Sequence, residues 1–520
     1  MEISLFKKYF ILFNTGVMLC LSQHVFSFPT RGYEITTTSK KGDRPKNSDT
    51  SANAVNINID AKITKSDLSK RYKGLCITEN WENQSFWHYP ISPATTIKEI
   101  DANLIRTGSD GVFWSEPPYS SAKPRLINYG PNESESKEKD LVENDGIHLK
   151  SRYLNFDAFI ALCQKTNSEA DVIVPYNKIY YKGSVGSNKT SKEDFLRNAE
   201  TLVNYANHVK GYHIKFWEIG NERWQKSNGI TAEQYRDDII LFSKRMKAVD
   251  PSIKIIVNGN SGEWFKTVLA GAASSIDFIN ISFYPTYPWS GYDYYKVSDI
   301  DFAKNNFLQD ALSAISNSGY KNKIKLIITE FNAVSFGKGT WKDRNDLGHA
   351  LACSQMYGDL ATNPDIFYVA FWNLRWYYKN AISGEWKPDD TEPRNAYNAT
   401  DRNGHLNPNG LALSIWNRNL LDRMVQAGSD NQLIRTYVTC DGSNSKMNVF
   451  IINKDSSNHK VRINLKNYPD GVGEVWTLRG NGDTDSHPIW AKTMNLRVKN
   501  NTITLDLNSI SLTMIKLNSH

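Results

Sequence analysis

Residues 216–224 (FWEIGNERW) run from an apolar segment straight into the polar pair Asn221 and Glu222. A second stretch, residues 326–332 (LIITEFN), does the same and reaches Glu330. Short apolar runs of this kind, bounded by polar residues, are typical of strands that are buried on both faces. Each carboxylate therefore stands where a buried strand is predicted to end.

On both sides of these two stretches, between residues 71 and 424, short apolar runs alternate with helical patterns. This alternation indicates repeated βα units and a parallel sheet. The predicted strands are 74–77, 103–107, 171–175, 214–219, 253–257, 278–283, 325–329 and 366–371, and the most periodic helices are 192–208, 232–249, 303–317 and 346–360. Eight such units over about 350 residues favour a (β/α)8 TIM barrel. An open doubly wound sheet is the alternative, but the strand ends lack its glycine-rich phosphate loops.

Beyond Met424 the helical pattern stops, and six short alternating runs separated by Asp, Asn and Gly residues follow. They predict a small antiparallel β-sandwich over residues 425–520. An isolated alternating run within residues 55–70 precedes the barrel and is expected to join that sandwich. The predicted fold class is therefore α/β: a TIM barrel over residues 71–424 with a C-terminal antiparallel β-sandwich domain.

The first 28 residues carry Lys7 and Lys8 ahead of a short apolar run, a pattern that predicts a signal peptide. A lipid anchor at Cys20 is the alternative, although the three residues before it are not small. Residues 29–54 are rich in Ser, Thr, Lys and Asn and predict a flexible linker. The expected location is secreted, periplasmic or at the cell surface, with no membrane span.

Composition narrows the function classes. The 520 residues are 40% hydrophobic and 22% charged, which is enough apolar material for a large core. The formal net charge of +7 is small for this length and argues against a nucleic-acid-binding protein. The chain shows no HExxH, Walker or dinucleotide-binding motif, so we expect neither a metal nor a cofactor.

Glu222 and Glu330 follow the fourth and the seventh predicted strands. In a TIM barrel these strand ends open into one mouth, and strands four and seven lie across it from each other. Hydrolysis of a glycosidic bond needs such a pair of carboxyl groups, one to protonate the leaving oxygen and one to attack or to activate water. Two ordinary polar residues at strand ends are the alternative, and Glu218 competes with Glu222 for the first role.

These motifs resemble clan A of the retaining glycoside hydrolases, and the resemblance extends from about Gly74 to the C-terminus. The branches with a trailing β-sandwich are the most similar: arabinofuranosidases, xylosidases, glucuronidase-like enzymes and β-agarase or porphyranase-like enzymes. The resemblance implies that Glu222 is the acid/base and Glu330 the nucleophile. It also assigns Arg106 and Tyr284 to contacts with the nucleophile, and Trp372 to the floor under the reacting sugar. Many members carry a histidine where this chain has Ser282.

Simple electrostatics agrees with these roles. A guanidinium and a phenol close to Glu330 are expected to lower its pKa, and the charge on Glu330 is expected to raise the pKa of Glu222. Retaining enzymes hold the two carboxyl groups about 5 to 5.5 Å apart, and we expect that separation here. Asn221 is placed to hydrogen-bond the sugar 2-hydroxyl. For Arg106 the alternative is neutralisation of a buried carboxylate, and for Trp372 and Tyr284 it is simple packing.

Aromatic residues in the loops after the strands suggest several sugar subsites, with Trp224 and Trp289 among the substrate-binding candidates. The sequence therefore predicts a retaining glycoside hydrolase that attacks a polysaccharide or oligosaccharide, acts in the endo mode and is agarase- or porphyranase-like. An exo-acting α-L-arabinofuranosidase or β-xylosidase is the alternative enzyme. A non-catalytic carbohydrate-binding protein is the alternative from another class.

Overall fold

A computed structural model describes residues 54–78, 82, 84, 88–107, 142–144, 149–151, 154, 156–174, 176, 192–225, 229–285, 291–297, 301–333, 345–375 and 398–519. The predicted signal peptide and almost all of the predicted linker lie outside these ranges, and so does Trp289. Within them, no helix is both long and apolar enough to cross a bilayer.

The strands, in chain order, are β1 (Val55–Asp67), β2 (Tyr72–Cys76), β3 (Leu104–Arg106), β4 (Val142–Asn144), β5 (Leu149–Ser151), β6 (Glu169–Val174), β7 (Phe216–Ile219), β8 (Lys254–Asn258), β9 (Phe278–Phe283), β10 (Lys325–Phe331), β11 (Ile366–Phe371), β12 (Arg423–Ser429), β13 (Ile434–Cys440), β14 (Lys446–Asn453), β15 (His459–Lys466), β16 (Gly471–Arg479), β17 (Ile489–Arg497), β18 (Thr502–Leu507) and β19 (Ser511–Ser519). The α-helices are α1 (Pro93–Ile100), α2 (Phe156–Thr166), α3 (Lys192–Val203), α4 (Ala232–Val249), α5 (Gly262–Ala272), α6 (Tyr292–Val297), α7 (Asn306–Asn317), α8 (Leu347–Thr362) and α9 (Pro408–Asn419).

Eight parallel strands, β2, β3 and β6 to β11, close into a barrel, and β11 returns to pair with β2. The predicted TIM barrel is confirmed, and each of its eight predicted strands matches one of these within a few residues. Because all strands are parallel, their C-terminal ends meet at one mouth. Arg106 and Asp171 are register partners there, and so are Ile173 and Glu218.

The barrel interior changes character from one end to the other. Phe216 and Phe278 are the first residues of their strands, and together with Tyr72 and Phe367 they fill the N-terminal end with packed rings. The rings of Phe278 and Phe367 stack with their centroids 5.0 Å apart. Towards the C-terminal end the inward positions become polar. The aromatic layer therefore closes the bottom of the barrel, and the chemistry-bearing residues collect at its mouth.

The second sheet has nine strands in the order β17-β16-β19-β14-β13-β12-β1-β15-β18. Neighbouring strands are antiparallel except for β1 and β15, which run parallel. The predicted C-terminal antiparallel domain is confirmed in this mostly antiparallel form. Strand β1 lies in the sheet between β12 and β15, so the segment before the barrel completes the domain after it.

Strand β14 shows how this sheet is fixed to the barrel. Val449 and Ile451 point into the core of the sheet domain, whereas Phe450 and Ile452 join the core that surrounds the barrel. The indole of Trp416, on α9, stacks on Phe450 with centroids 4.1 Å apart and planes 6° apart. A strand covered on both faces is a continuous apolar run, which is what the sequence of β14 shows.

Helix α4 coincides with its prediction, and a Thr231–Gln234 capping box defines its start. Helices α1, α2, α5, α6 and α9 were not predicted. Nearly every residue of α9 is buried, because it lies between the barrel and the second sheet, and a helix buried all round has no amphipathic period to detect. Strand β17 was missed for the opposite reason: it is an edge strand whose residues are mostly exposed.

Candidate active site

Five strand ends supply the candidate site at the barrel mouth. Arg106 is the last residue of β3, and Glu330 is the last but one of β10. Asn221 and Glu222 lie in the turn after β7, Tyr284 directly follows β9, and Trp372 directly follows β11. These residues, more than two hundred positions apart at their extremes, are thereby brought to one end of the barrel.

Arg106 is the centre of the site. Its side chain is fully buried and donates three hydrogen bonds, each from a different nitrogen. Nε donates to Glu218 Oε2 at 2.8 Å, Nη1 donates to Glu330 Oε1 at 2.9 Å, and Nη2 donates to Asn221 Oδ1 at 2.7 Å. A planar guanidinium can hold three acceptors in this way, and an ammonium cannot. Arg106 therefore both neutralises a buried carboxylate and orients two residues of the predicted site.

Glu330 is held at both oxygens. Oε1 accepts from Arg106, and Oε2 accepts from the hydroxyl of Tyr284 at 2.7 Å. Burial raises the pKa of Glu330 above its ordinary value, while Arg106 and Tyr284 act in the opposite direction. The expectation of a lowered pKa is therefore wrong, because the loss of solvent outweighs the two donors.

Glu218 lies one layer deeper than Glu330. It is fully buried, and Oε2 accepts from Arg106 while Oε1 accepts from the amide of Asn280. Because both oxygens are occupied below the mouth, Glu218 serves to hold Arg106 and does not compete with Glu222. Sequence reasoning missed Asn280, although a polar residue in the apolar strand β9 is a detectable signal of a polar contact inside the barrel.

Glu222 sits in a tight turn after β7. Gly220 and Glu222 both have positive φ angles, of 67° and 45°, and the latter is uncommon for a residue with a side chain. Asn258 holds the turn: its Oδ1 accepts from the Arg223 amide at 2.7 Å and its Nδ2 donates to the Gly220 carbonyl at 2.8 Å. The Glu222 carboxylate accepts from Gln225 and remains partly exposed.

Glu330 and Glu222 both affect the pKa of the Tyr284 phenol. Burial raises the pKa of Tyr284, and the negative charges of Glu330 and, more weakly, Glu222 raise it further. Tyr284 is in direct contact with Glu330, whereas Glu222 acts on it through its charge. The predicted separation of the two carboxyl groups stays a prediction.

Trp372 is 6% exposed, and its ring meets that of Tyr284 edge to face, with centroids 6.1 Å apart and planes at 87°. Its carbonyl accepts from the side-chain amide of Asn332 at 2.6 Å. Trp224 is partly exposed in the turn that follows Glu222. Trp289 lies outside the described residues.

Sequence reasoning also missed a buried ion pair beside Trp372. Arg375 Nη1 lies 3.0 Å from Glu82 Oε2, both side chains are fully buried, and the guanidinium sits 4.0 Å from the ring centroid of Tyr89. Burial raises the pKa of Glu82 to about 7, with Arg375 acting against the shift. These residues follow the first and eighth barrel strands, and a lone charge in a loop carries no sequence pattern that would pair them.

Asp171 is a third carboxyl group beneath the site. One oxygen accepts from the hydroxyl of Tyr368, and the other has no hydrogen-bond partner among the described residues. Burial, followed by the charge of Glu218, raises the pKa of Asp171 to about 7. Arg106 is thus hydrogen-bonded to Glu218 and Glu330, whereas no hydrogen bond from it to Asp171 is among the described contacts.

No model of a protein family matches the sequence. Among curated proteins, the chain is similar to the intracellular exo-α-(1→5)-L-arabinofuranosidase of Streptomyces lividans, with 23% identity over 47% of this chain and 38% of that protein. It is also similar to the intracellular exo-α-(1→5)-L-arabinofuranosidase 1 of Bacillus subtilis, with 29% identity over 36% of this chain and 37% of that protein. The matches thus span less than two fifths of the length of these relatives.

Among solved structures, the α-L-arabinofuranosidase of Thermotoga maritima superposes with a TM-score of 0.66 at 17% identity, covering 89% of this chain and all of that one. A family 44 xyloglucanase of Paenibacillus polymyxa has a TM-score of 0.60 at 14% identity, covering 90% of this chain and 99% of that one. The chain therefore has the fold of these glycoside hydrolases, and its similarity to them agrees with the resemblance of its motifs to clan A. The two curated relatives are both named as arabinofuranosidases.

The predicted secreted, periplasmic or cell-surface location is corrected by the same comparison. Relatives from Streptomyces lividans, Bacillus subtilis, Acetivibrio thermocellus and Halalkalibacterium halodurans are all named as intracellular enzymes. The location was predicted only from two lysines before a short apolar run, which is a pattern of composition. The location inferred from it is therefore withdrawn.

Proposed function

We propose that this protein is a retaining, exo-acting α-L-arabinofuranosidase that removes terminal α-L-arabinofuranosyl groups from oligosaccharides. The observation that carries the proposal is the pairing of a buried carboxylate, Glu330, fixed at both oxygens, with a partly exposed carboxylate, Glu222, at the same barrel mouth. The names of the curated relatives support the choice of sugar.

In the first step, one oxygen of ionised Glu330 attacks the anomeric carbon of the arabinosyl group. The bond from that carbon to the leaving oxygen breaks, and Glu222 gives its proton to the leaving oxygen. Arg106 and Tyr284 keep Glu330 fixed during the attack, so the nucleophile needs no reorientation.

In the second step, Glu222 takes a proton from water, and the resulting hydroxide oxygen attacks the anomeric carbon. The bond to Glu330 breaks, and Glu330 leaves as a carboxylate. Two inversions at one carbon give net retention. The partial exposure of Glu222 fits this step, because water must reach it, whereas Glu330 is almost completely buried.

The sequence predicted an endo-acting, agarase- or porphyranase-like enzyme, with the exo-acting arabinofuranosidase as the alternative. We propose the alternative. The curated relatives from Streptomyces lividans and Bacillus subtilis are named as exo-acting arabinofuranosidases, which supports this alternative over the endo-acting agarase-like interpretation. A carbohydrate-binding protein without activity would have no need for two carboxyl groups in such different environments at one mouth.

The test is a substrate panel. The purified chain is incubated with 4-nitrophenyl α-L-arabinofuranoside, 4-nitrophenyl β-D-xylopyranoside, α-(1→5)-linked arabino-oligosaccharides and soluble agarose. We expect release of nitrophenol from the arabinofuranoside and of free arabinose, one unit at a time, from the oligosaccharides. Proton NMR during the first minutes should show the product anomer with the configuration of the substrate.

Shortening of agarose without release of arabinose would overturn the exo-arabinofuranosidase and restore the endo interpretation. Hydrolysis of the xyloside at a higher kcat/KM than the arabinofuranoside would keep the mechanism and change the sugar.

A further inference from the structure

Asn332 lies two residues after Glu330 and is fully buried. Its side-chain Nδ2 donates to the Trp372 carbonyl at 2.6 Å, and the Trp372 amide donates to the carbonyl of Phe331 at 3.1 Å. The end of β10, which carries Glu330, is therefore joined to the end of β11, which carries Trp372, by one backbone and one side-chain hydrogen bond.

Helix α8 also contacts the side chain of Asn332, through Cys353. The Cys353 thiol donates to Asn332 Oδ1 at 3.6 Å, a distance suited to sulfur. The start of the helix is fixed by the second sheet domain, because the Leu347 and Gly348 amides donate to the Asp485 and Asp483 carbonyls at 2.9 and 2.7 Å. Asn332 thus stands between a helix anchored at its first turn and the backbone of Trp372.

The contacts continue from Trp372 back to Glu330. The ring of Trp372 packs edge to face on Tyr284, and the hydroxyl of Tyr284 donates to Glu330. Glu330, Asn332, Trp372 and Tyr284 therefore form a closed circuit of contacts. A displacement of the Trp372 backbone would therefore move the ring that packs on Tyr284, whose hydroxyl binds Glu330.

We propose that Asn332 is a positioning residue that sets Trp372 at a fixed place relative to Glu330, so that one sugar ring fits between them. This inference rests on the proposed function, since it takes Trp372 as the floor of the sugar site. Asn332 does not touch the reacting atoms and acts through Trp372.

The test compares Asn332→Leu with Asn448→Leu. Leucine keeps the approximate shape of asparagine and removes the donor. Asn448 is a matched control, because it is also buried and its Nδ2 donates to a backbone carbonyl, that of Asn419, at 2.7 Å, but it lies in β14 of the second sheet. Both variants lose a buried hydrogen bond to a backbone carbonyl, and Asn332→Leu also loses the weaker bond from the Cys353 thiol, so both are expected to unfold at a lower temperature than the parent.

KM and kcat for 4-nitrophenyl α-L-arabinofuranoside are measured well below both unfolding temperatures. We expect Asn332→Leu to raise KM about tenfold, because a displaced Trp372 ring fits the sugar less well, and Asn448→Leu to leave KM within about twofold. Equal KM values for the two variants would overturn the positioning role. A crystal structure of Asn332→Leu is the second measurement, and the Trp372 ring is expected to move relative to Tyr284.

Failure of the proposed function is recognisable separately, because the parent chain would then hydrolyse no arabinofuranoside. In that case the crystal structure decides: a Trp372 ring in its original place would refute the positioning role, and a displaced ring would support it for whichever glycoside the site accepts.

Discussion

The two carboxylates of the candidate site differ in how the fold holds them. Glu330 is part of a barrel strand, is almost completely buried, and accepts hydrogen bonds from Arg106 and Tyr284. Glu222 lies just beyond its strand in a turn with positive φ angles, is partly exposed, and accepts from Gln225 of the same turn. The Glu330 carboxylate accepts from residues at two other strand ends, whereas the Glu222 carboxylate accepts from a residue of its own turn.

This difference suits the two roles. A nucleophile gains from a fixed position and needs no water, because it reacts with one carbon at close range. An acid/base must deliver a proton to a leaving oxygen and later take one from water, so it needs access to solvent. The contrast between the two glutamates therefore agrees with the assignment taken from the resemblance, and the predictions below are designed to break it.

The largest expected effect is the loss of activity when either glutamate is replaced, and its size and its response to azide should differ between Glu330 and Glu222. Glu330→Gln should lower kcat on 4-nitrophenyl α-L-arabinofuranoside by about 10⁴-fold or more, because no other group can form the covalent intermediate. Glu222→Ala should lower it by roughly 10²- to 10⁴-fold, and added azide should restore turnover by attacking the intermediate without a base. Steady-state kinetics with and without azide measures both. Azide rescue of Glu330→Gln with retained product configuration would reverse the assignment.

The second prediction concerns Arg106, which binds the buried carboxylates of Glu218 and Glu330. Arg106→Lys keeps the charge but cannot reach Glu218, Glu330 and Asn221 together, so it should destabilise the protein by about 3 kcal/mol or more. Urea unfolding measures the change.

Arg245→Lys is the matched control for this substitution. Arg245 also binds two carboxylates, Glu193 and Glu200, but at the partly exposed surface of α4, and its loss should cost less than about 1 kcal/mol. Similar losses of unfolding free energy for the two variants would mean that the buried contacts of Arg106 stabilise the protein no more than ion pairs at the surface.

The third prediction uses the raised pKa of Glu330. Activity requires ionised Glu330 and is lost as the pH falls through its pKa. Tyr284→Phe removes a donor that lowers this pKa, so the acid limb of kcat/KM should move to higher pH. A pH–rate profile measures the shift.

Tyr437→Phe is the corresponding control. The hydroxyl of Tyr437 donates to Asp359 at 2.7 Å, where the second sheet meets α8, remote from the mouth. Its acid limb should coincide with that of the parent. An unchanged limb in Tyr284→Phe would show that the phenol does not influence the nucleophile.

Much of the barrel could be predicted from the sequence, because buried parallel strands are short apolar runs with clear ends. The same reasoning located Glu222 and Glu330, since each follows such a run directly. The resemblance also assigned Arg106 and Tyr284 to contacts with Glu330, and the structure shows both contacts.

The rest could not be predicted because it depends on contacts between distant segments. Asn280, Asn332 and Asp171 are single polar residues within or next to apolar stretches of sequence, and their partners lie on or directly after other strands. The pKa of Glu330 was predicted in the wrong direction for a related reason. The sequence identifies the donors around a carboxylate, but it does not show how completely the fold removes water from it.

The smallest expected effect concerns Asp171, a carboxyl group that is buried like Glu330 but has no hydrogen bond from Arg106 among the described contacts. Its pKa is raised from 3.8 to about 7, so folding favours its protonated form. Stability is therefore lost as the pH rises from about 4 to about 7. Asp171→Asn mimics the neutral acid and should be more stable than the parent at pH 8, with little difference at pH 4.

Asp277 is the control with the opposite sign. Burial acts to raise its pKa, but the hydrogen bonds from Lys247 and the Ile255 amide outweigh burial and lower it. Asp277→Asn should therefore be less stable than the parent at neutral pH, and the difference should shrink as the pH falls through the lowered pKa. Urea unfolding of both variants between pH 4 and 8 tests the pair. If Asp171→Asn followed the trend of Asp277→Asn, Asp171 would be ionised in the folded protein, and Arg106 would have to stabilise three carboxylates at once.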